Sequence, residues 1–292
     1  MKYITGYVGV VGKTNAGKSS LVNRLVGEKV SIVTPKTQTT RQNIIGILTK
    51  ENYQIVFVDT PGIHKSQNML DKFMMKNVRH AIGSVDVLLY VVDATKRFDV
   101  KEFENIKKYA ENPNFATLLI ISKVDLISKA NLMKFLGNFA TLDCVKTIIP
   151  CSSKTGVNQD VIIEEILKWL PSFSEKNFEF DDDMYTSSSV RFMTAEIIRE
   201  KALFLLNEEL PHGLAIDITK FDENGTVAHI DVDLICEKEN HKSIILGKGG
   251  TKIKEIGSQA RSDIEKLLDK KVMLKIFVKV DKNWRQKKIT VV

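Results

Sequence analysis

Cysteine, histidine and long apolar runs are scarce in this chain of 292 residues, and each shortage removes a class of protein. Cys144, Cys151 and Cys236 stand far apart with no CxxC pair, so no disulfide framework or zinc site is built from them, and a reducing cytosol is the expected compartment. Five scattered histidines show no metal-ligand spacing. No apolar run approaches the roughly 20 residues that cross a bilayer. The opening stretch YITGYVGVVG is too brief for a signal-peptide core. Internal repeats are absent as well. What is present, 43% hydrophobic and 27% charged residues, describes a soluble globular chain long enough for two domains, each with its own core.

The formal charge of +7 is unevenly spread: +8 over residues 1–172, −10 over 173–240 and +9 over 241–292. The last segment carries the electrostatic footprint of a polyanion-binding surface, although a solvated lysine-rich face would look the same by charge alone.

Up to about Pro171, apolar runs (YVGVV, IIGILT, YQIVFVD, DVLLYVVD, TLLIIS, VKTIIP) alternate with helical spacing over Lys18–Leu25, Met69–Ile82, Lys101–Ala110, Asn131–Phe139 and Gln159–Leu170. Most of the runs are apolar at nearly every position, as parallel strands buried on both faces are, and the alternation predicts a doubly wound α/β domain over 1–172. Pro, Ser and an acidic run then mark 173–189 as a linker. From 190 to 292 the order becomes helix, strand, strand, helix, helix, strand. Helical spacing runs over Arg191–Glu209, and DENG, ending in Asn224-Gly225, marks a hairpin. Ile244–Leu246 gives one turn of helix. Thr251–Leu268 follows, with Ile253, Ile256, Ala260, Ile264 and Leu267 on one helix face.

Two glycine loops each open a helix. The first, GKTNAGKS at Gly12–Ser19, is a complete Walker A pattern between a strand and a helix. The N–H groups of Asn15, Ala16, Gly17, Lys18 and Ser19 can wrap a β-phosphate, with Ser20 next in the helix. Lys18 reaches the β and γ oxygens, and Ser19 can hold magnesium. DTPG closes the third apolar run: Asp59 can reach the metal through water, and the Gly62 N–H a γ-phosphate. In QTTR, Gln38–Arg41, polar and expected to be mobile, Thr40 can complete the metal shell. SKVD places Ser122, Lys123 and Asp125 after a later strand, where the Asp125 carboxylate can accept from guanine N1–H and N2–H₂, which adenine does not offer. SSK, Ser152, Ser153 and Lys154, can present backbone N–H to the guanine O6.

This ordered set resembles the five motifs of small regulatory GTPases. Ser122 stands where those motifs usually have Asn and supplies one amide donor fewer. Ile63 follows DTPG where many have a water-orienting glutamine. That departure resembles the potassium-activated group, in which a P-loop asparagine, here Asn15, helps hold the ion. The resemblance implies catalytic roles for Lys18, Asn15, Thr40 and Gly62, with GTP or GDP, Mg²⁺ and K⁺ as cofactors.

The second loop, GKGG at Gly247–Gly250, lacks the GKS/T ending and any parallel-sheet context. It resembles the GXXG loop of a type II KH domain, where Gly247, Lys248, Gly249 and Gly250, with Lys252 and Lys254, would pinch the backbone of single-stranded RNA over an apolar groove floor. A doubly wound α/β P-loop GTPase domain followed by an α+β type II KH domain resembles the bacterial Era family. The stretches TQTTR, DTPGIH, RFMTAEIIREKALFLLNEELP and ILGKGGTKIKEIG carry that likeness. Thr14, where the family often has proline, Ser122 and the short tail after Trp284 depart from it. The resemblance implies a GTP-hydrolysing protein that binds small-subunit ribosomal RNA near its 3′ end and assists maturation of the small ribosomal subunit. It also implies a cytoplasmic protein with peripheral contact at the membrane face. A Der-type ribosome-assembly GTPase and an RNA-binding scaffold with a structural nucleotide site are the alternatives.

Overall fold

Alternate side chains of each buried strand point to opposite faces of a sheet, so a sheet covered on both sides needs apolar residues at every position. The computed structural model, which describes residues 2–36, 39–63, 69–206 and 214–284, shows this arrangement. Strands β1 (Tyr3–Gly12), β3 (Tyr53–Asp59), β4 (Val87–Asp93), β5 (Ala116–Ser122) and β6 (Thr147–Pro150) run parallel, and β2 (Ile44–Lys50) lies at the edge in the order β2-β3-β1-β4-β5-β6. Val87, Leu89 and Val91 face a core shared with helices α1 (Lys18–Val26) and α5 (Gln159–Leu167). Leu88, Tyr90 and Val92 face the opposite core, shared with α2 (Met69–Ile82), α3 (Val100–Ala110) and α4 (Lys129–Gly137). Truncating a side chain such as Leu89 to alanine there costs about 2–5 kcal/mol.

One strand departs from the expected parallel pattern. β2 pairs antiparallel with β3 through a tight turn at Glu51–Asn52, so its apolar run reflects burial rather than direction.

Contacts divide the chain into two units: Met1–Ser31, Thr40–Gln67 and Asp71–Ser187 form the first, and Ile32–Thr39, Asn68–Leu70 and Ser188–Val292 the second. The acidic stretch read as a linker is bound to the first unit along most of its length. β7 (Ser172–Phe173) pairs antiparallel with β1. Buried Gln54 accepts from the N–H groups of Glu179 and Phe180 at 2.9 and 3.0 Å and donates to Phe180 O at 2.8 Å. Ile47 N donates to Tyr185 O at 2.9 Å, which covers the open edge of β2. Its Pro, Ser and Asp composition says nothing of partners more than a hundred residues away.

In the second unit, α6 (Val190–Leu205) begins at Ser189, whose hydroxyl accepts from Phe192 N at 3.2 Å. β8 (Ala215–Asp222) and β9 (Val227–Cys236) form the expected hairpin, and β10 (Lys271–Val280) joins β9 in parallel. α7 (Glu239–Leu246) is longer than the single turn expected. α8 (Thr251–Leu268) buries Ile256, Ala260 and Ile264 against the sheet, as its spacing predicts. Of the helix expected over Arg191–Glu209, the last residues lie outside the described ones.

Candidate nucleotide site and nucleic-acid interface

The motif residues of the first unit gather at the carboxyl ends of the parallel strands, where open α/β sheets bind ligands. β1 ends at Gly12, with φ of +148°; a Cβ there would stand 2.3 Å from the Val91 carbonyl oxygen. Asn15 takes φ of +61°, which asparagine tolerates. Gly17, at φ +98°, begins α1 with no side-chain cap and no acidic residue in the first turn. The N–H groups of that turn, including those of Lys18, Ser19 and Ser20, are thus presented to an anion at the positive end of the helix. A Cβ on Gly62 would lie 2.7 Å from Thr14 Cα, and Ile63 N donates to Gly12 O at 2.9 Å, so DTPG lies directly against the glycine loop.

Lys18 is folded back on the loop, donating to Gly12 O at 3.2 Å and Lys13 O at 2.9 Å. Burial pushes its amine down to about 8, while the Asp59 charge pulls it the other way. Burial raises Asp59 above the usual carboxylate range, and Ser19, Lys18 and Ser31 oppose that rise. Neither oxygen of this fully buried carboxylate accepts a normal hydrogen bond from the described residues. Such an orphan calls for a cation or water. Ser19 Oγ and Thr40 Oγ1 stand 3.0 Å apart. Adjacent ligands of octahedral Mg²⁺, each at about 2.1 Å, are separated by ~3.0 Å. The donor set therefore fits magnesium. Of the QTTR stretch, Thr40 and Arg41 are buried, and Gln38 lies outside the described residues.

The SKVD motif is tied to the loop as well. The Ser122 hydroxyl shares its proton between Ala16 O at 2.6 Å and Val92 O at 3.0 Å, so it staples the glycine loop to the sheet. Lys123, at φ +60°, donates to Asn15 O at 2.6 Å and to Asp93 at 2.7 Å. Burial alone would raise Asp93; the bonds from Lys123 and Thr95 outweigh it and hold the carboxyl below its ordinary value. Asp125 is exposed and accepts from Ser152 Oγ at 2.7 Å. The N–H groups of Ser153 and Lys154 make no internal bond among the described residues and are free for a ligand oxygen. Asp93 was missed from sequence, because a carboxylate ending a strand has no signature until Lys123 is placed on it.

In the second unit, the loop between α7 and α8 holds Gly247, Gly249 and Gly250 at φ of +69°, +62° and +76°. A Cβ on Gly247 would meet Lys252 Cγ at 2.9 Å, whereas Gly249 and Gly250 face open space. α8, like α1, starts with no side-chain cap and no acidic first-turn residue, and it carries Lys252 and Lys254 there. Lys248 is exposed at the loop tip. Beside it lies a cavity of about 450 Å³ with Ile253, Leu274 and Ile276 in its lining and Lys254 and Arg261 among its cations. Arg261 was not foreseen; it follows Lys254 by seven residues, which puts both on one face of α8. An apolar floor, a cationic rim and a loop of bare backbone suit a strand of bases and phosphates.

Comparison with known proteins finds a relative for each of the two units. Residues 7–123 match the family described as 50S ribosome-binding GTPase, and residues 209–285 match the KH domain. The chain is 40% identical to the GTPase Era of Alkaliphilus metalliredigens, covering 98% of this chain and 96% of the relative. It is 43% identical to that of Clostridium acetobutylicum, covering 96% and 94%. Its structure is similar, with a TM-score of 0.92, to an Era in complex with MgGDPNP and nucleotides 1506–1542 of 16S ribosomal RNA, at 35% identity over 98% of this chain and 96% of that one. With a TM-score of 0.91 it is similar to an Era variant of Aquifex aeolicus bound to GDP·AlF₄⁻, at 34% identity and the same coverage.

Proposed function

The chain belongs to the GTPase Era family and is a GTPase, and we propose that its GTP-bound form binds single-stranded RNA near the 3′ end of small-subunit ribosomal RNA and assists maturation of that subunit. The observation that carries the reading is the glycine loop of the second unit, with its cationic rim and apolar cavity, in a chain whose relative holds nucleotides 1506–1542 of 16S ribosomal RNA. In the nucleotide site, the first turn of α1 holds the phosphates, Lys18 reaches the β and γ oxygens, and Asp125 selects guanine. Ser153 and Lys154 supply N–H to its O6. Ser19 and Thr40 would hold Mg²⁺, with Asp59 behind them. The ion, when bound, neutralises charge on the β and γ oxygens. Ile63 cannot orient water. We assign that deficit to K⁺ held with the help of Asn15, and the Gly62 N–H to the γ-phosphate. We place the protein in the cytoplasm, with peripheral membrane contact through the basic segment 241–292, whose +9 charge an anionic leaflet attracts. No helix among the described residues is long and apolar enough to cross a membrane.

Lys248→Asp with Gly249→Asp tests the RNA reading. Gly249 faces open space in a left-handed conformation that aspartate tolerates, so the fold should survive. Binding of an oligoribonucleotide matching the 16S 3′ end should collapse while hydrolysis without RNA stays unchanged. Wild-type binding should weaken steeply with salt. A double variant that binds like wild type would refute the loop as the clamp.

A further inference from the structure

The glycine loop of the first unit is held from two sides by elements of that same unit. On one side the Ser122 hydroxyl and the Lys123 amine bond the carbonyls of Ala16 and Asn15. On the other the hold comes from Lys13, whose side chain leaves the loop for the start of α3. Lys13 Nζ stands 2.6 Å from Asp99 Oδ2 and 2.9 Å from Glu102 Oε2. Asp99 caps α3, its other oxygen accepting from Lys101 N at 2.9 Å, and Glu102 lies in the first turn.

Glu102 is buried, and a buried carboxylate is costly unless it is paired. Burial raises its carboxyl above the ordinary range, and Lys13 opposes that rise. The helix does not need this carboxylate as a cap, since Asp99 supplies one. Lys13, in turn, is where bonds of the loop meet. Its carbonyl accepts from Lys18 Nζ at 2.9 Å and from Ala16 N at 3.3 Å, and its backbone bridges to Ile63, just after DTPG. A cation set between two carboxylates attracts a further anion weakly, so Lys13 is badly placed to bind phosphate itself.

We propose that Lys13, Asp99 and Glu102 are positioning residues of the nucleotide site: the acid pair at the start of α3 fixes Lys13, and the Lys13 carbonyl aims the Lys18 amine at the phosphates. This rests on the assignment of Lys18 to the β and γ oxygens.

The test turns on a sign. Removing two carboxylates beside the loop makes it more positive, so by charge alone GDP should bind more tightly. Through the anchor it should bind more weakly. In Asp99→Asn with Glu102→Met the cap survives, because asparagine caps as well as aspartate does. The new amide oxygen stays with Lys101 N, which turns the NH₂ toward Lys13. GDP affinity of the full chain, titrated without RNA, should fall about fivefold or more, the scale of coupling within one hydrogen-bonded network, and GTP turnover should fall with it. Lys13→Met should give a similar loss and add little when placed on the acid-pair variant, whereas Lys13→Arg, able to span both carboxylates, should keep wild-type affinity. Unchanged or tighter GDP binding in the folded acid-pair variant would overturn the proposal. If loss of Glu102 unfolds α3, Asp99→Asn alone decides by the same sign. Lys18→Met should itself weaken GDP strongly; if it does not, the reading of Lys18 fails whatever α3 contributes.

Discussion

Ser122→Ala removes a single oxygen that is 1% exposed as part of its residue and joins the glycine loop to the sheet. Ala16 O, at 2.6 Å, takes no other hydrogen bond among the described residues, so truncation leaves a buried carbonyl with no donor. The net worth of an ordinary hydrogen bond is ~0.5–1.5 kcal/mol, but an orphaned buried acceptor costs ~1–3 kcal/mol, and the second figure applies here. If the loop keeps its shape, the loss falls on stability, and a unit of this size should melt ~2–12 °C lower without nucleotide. If the loop relaxes, the loss falls on binding instead, and GDP affinity should drop ~5- to 150-fold. Thermal unfolding without nucleotide and titration with fluorescent GDP measure the two shares. Wild-type values in both would refute the staple. The preference for guanine over adenine should not change, because Asp125 is untouched. A changed preference would mean that Ser122 contacts the base.

Lys18 gives a prediction in pH. Its folded pKa of about 8 lies below the ordinary lysine value of 10.5, so between them the unfolded chain binds more protons and nucleotide-free stability should rise with pH. Phosphate restores the charge, so GDP binding above pH 8 should take up a proton and weaken by up to tenfold per unit; calorimetry in buffers of different ionisation enthalpy reads that uptake, and Lys18→Met should abolish it. Asp125→Asn should shift preference from guanine to xanthine nucleotides, since the new amide donates to the C2 carbonyl while its oxygen still accepts from Ser152; unchanged GTP preference would dismiss the base-recognition role. Replacing potassium by sodium should slow hydrolysis, and Asn15→Ala should erase the difference, whereas equal wild-type rates in the two salts would remove the ion from the mechanism.

Local rules in the sequence were enough for the strands, the two glycine loops and the order of the second unit. Periodicity follows from which faces are buried, and a loop that must bring bare backbone to a phosphate needs glycine whatever surrounds it. Lys18, Asp59, Asp125 and the GKGG tip stood out as candidates for that reason: each motif carries its chemistry within a few consecutive residues. Pairings that join distant residues left no such mark. The antiparallel direction of β2, the hold of Gln54 on Glu179 and Phe180, and the use of Ser122 to bond Ala16 rather than to face a base depend on neighbours 100 or more residues away or on strand direction. The burial of Arg199 against Glu196 and the Thr39 carbonyl is the plainest case. Along the helix it is one more charged residue among IIREK, and only folding, which withdraws it from water, sets Nε and Nη2 against their acceptors and leaves Nη1 without one among the described residues.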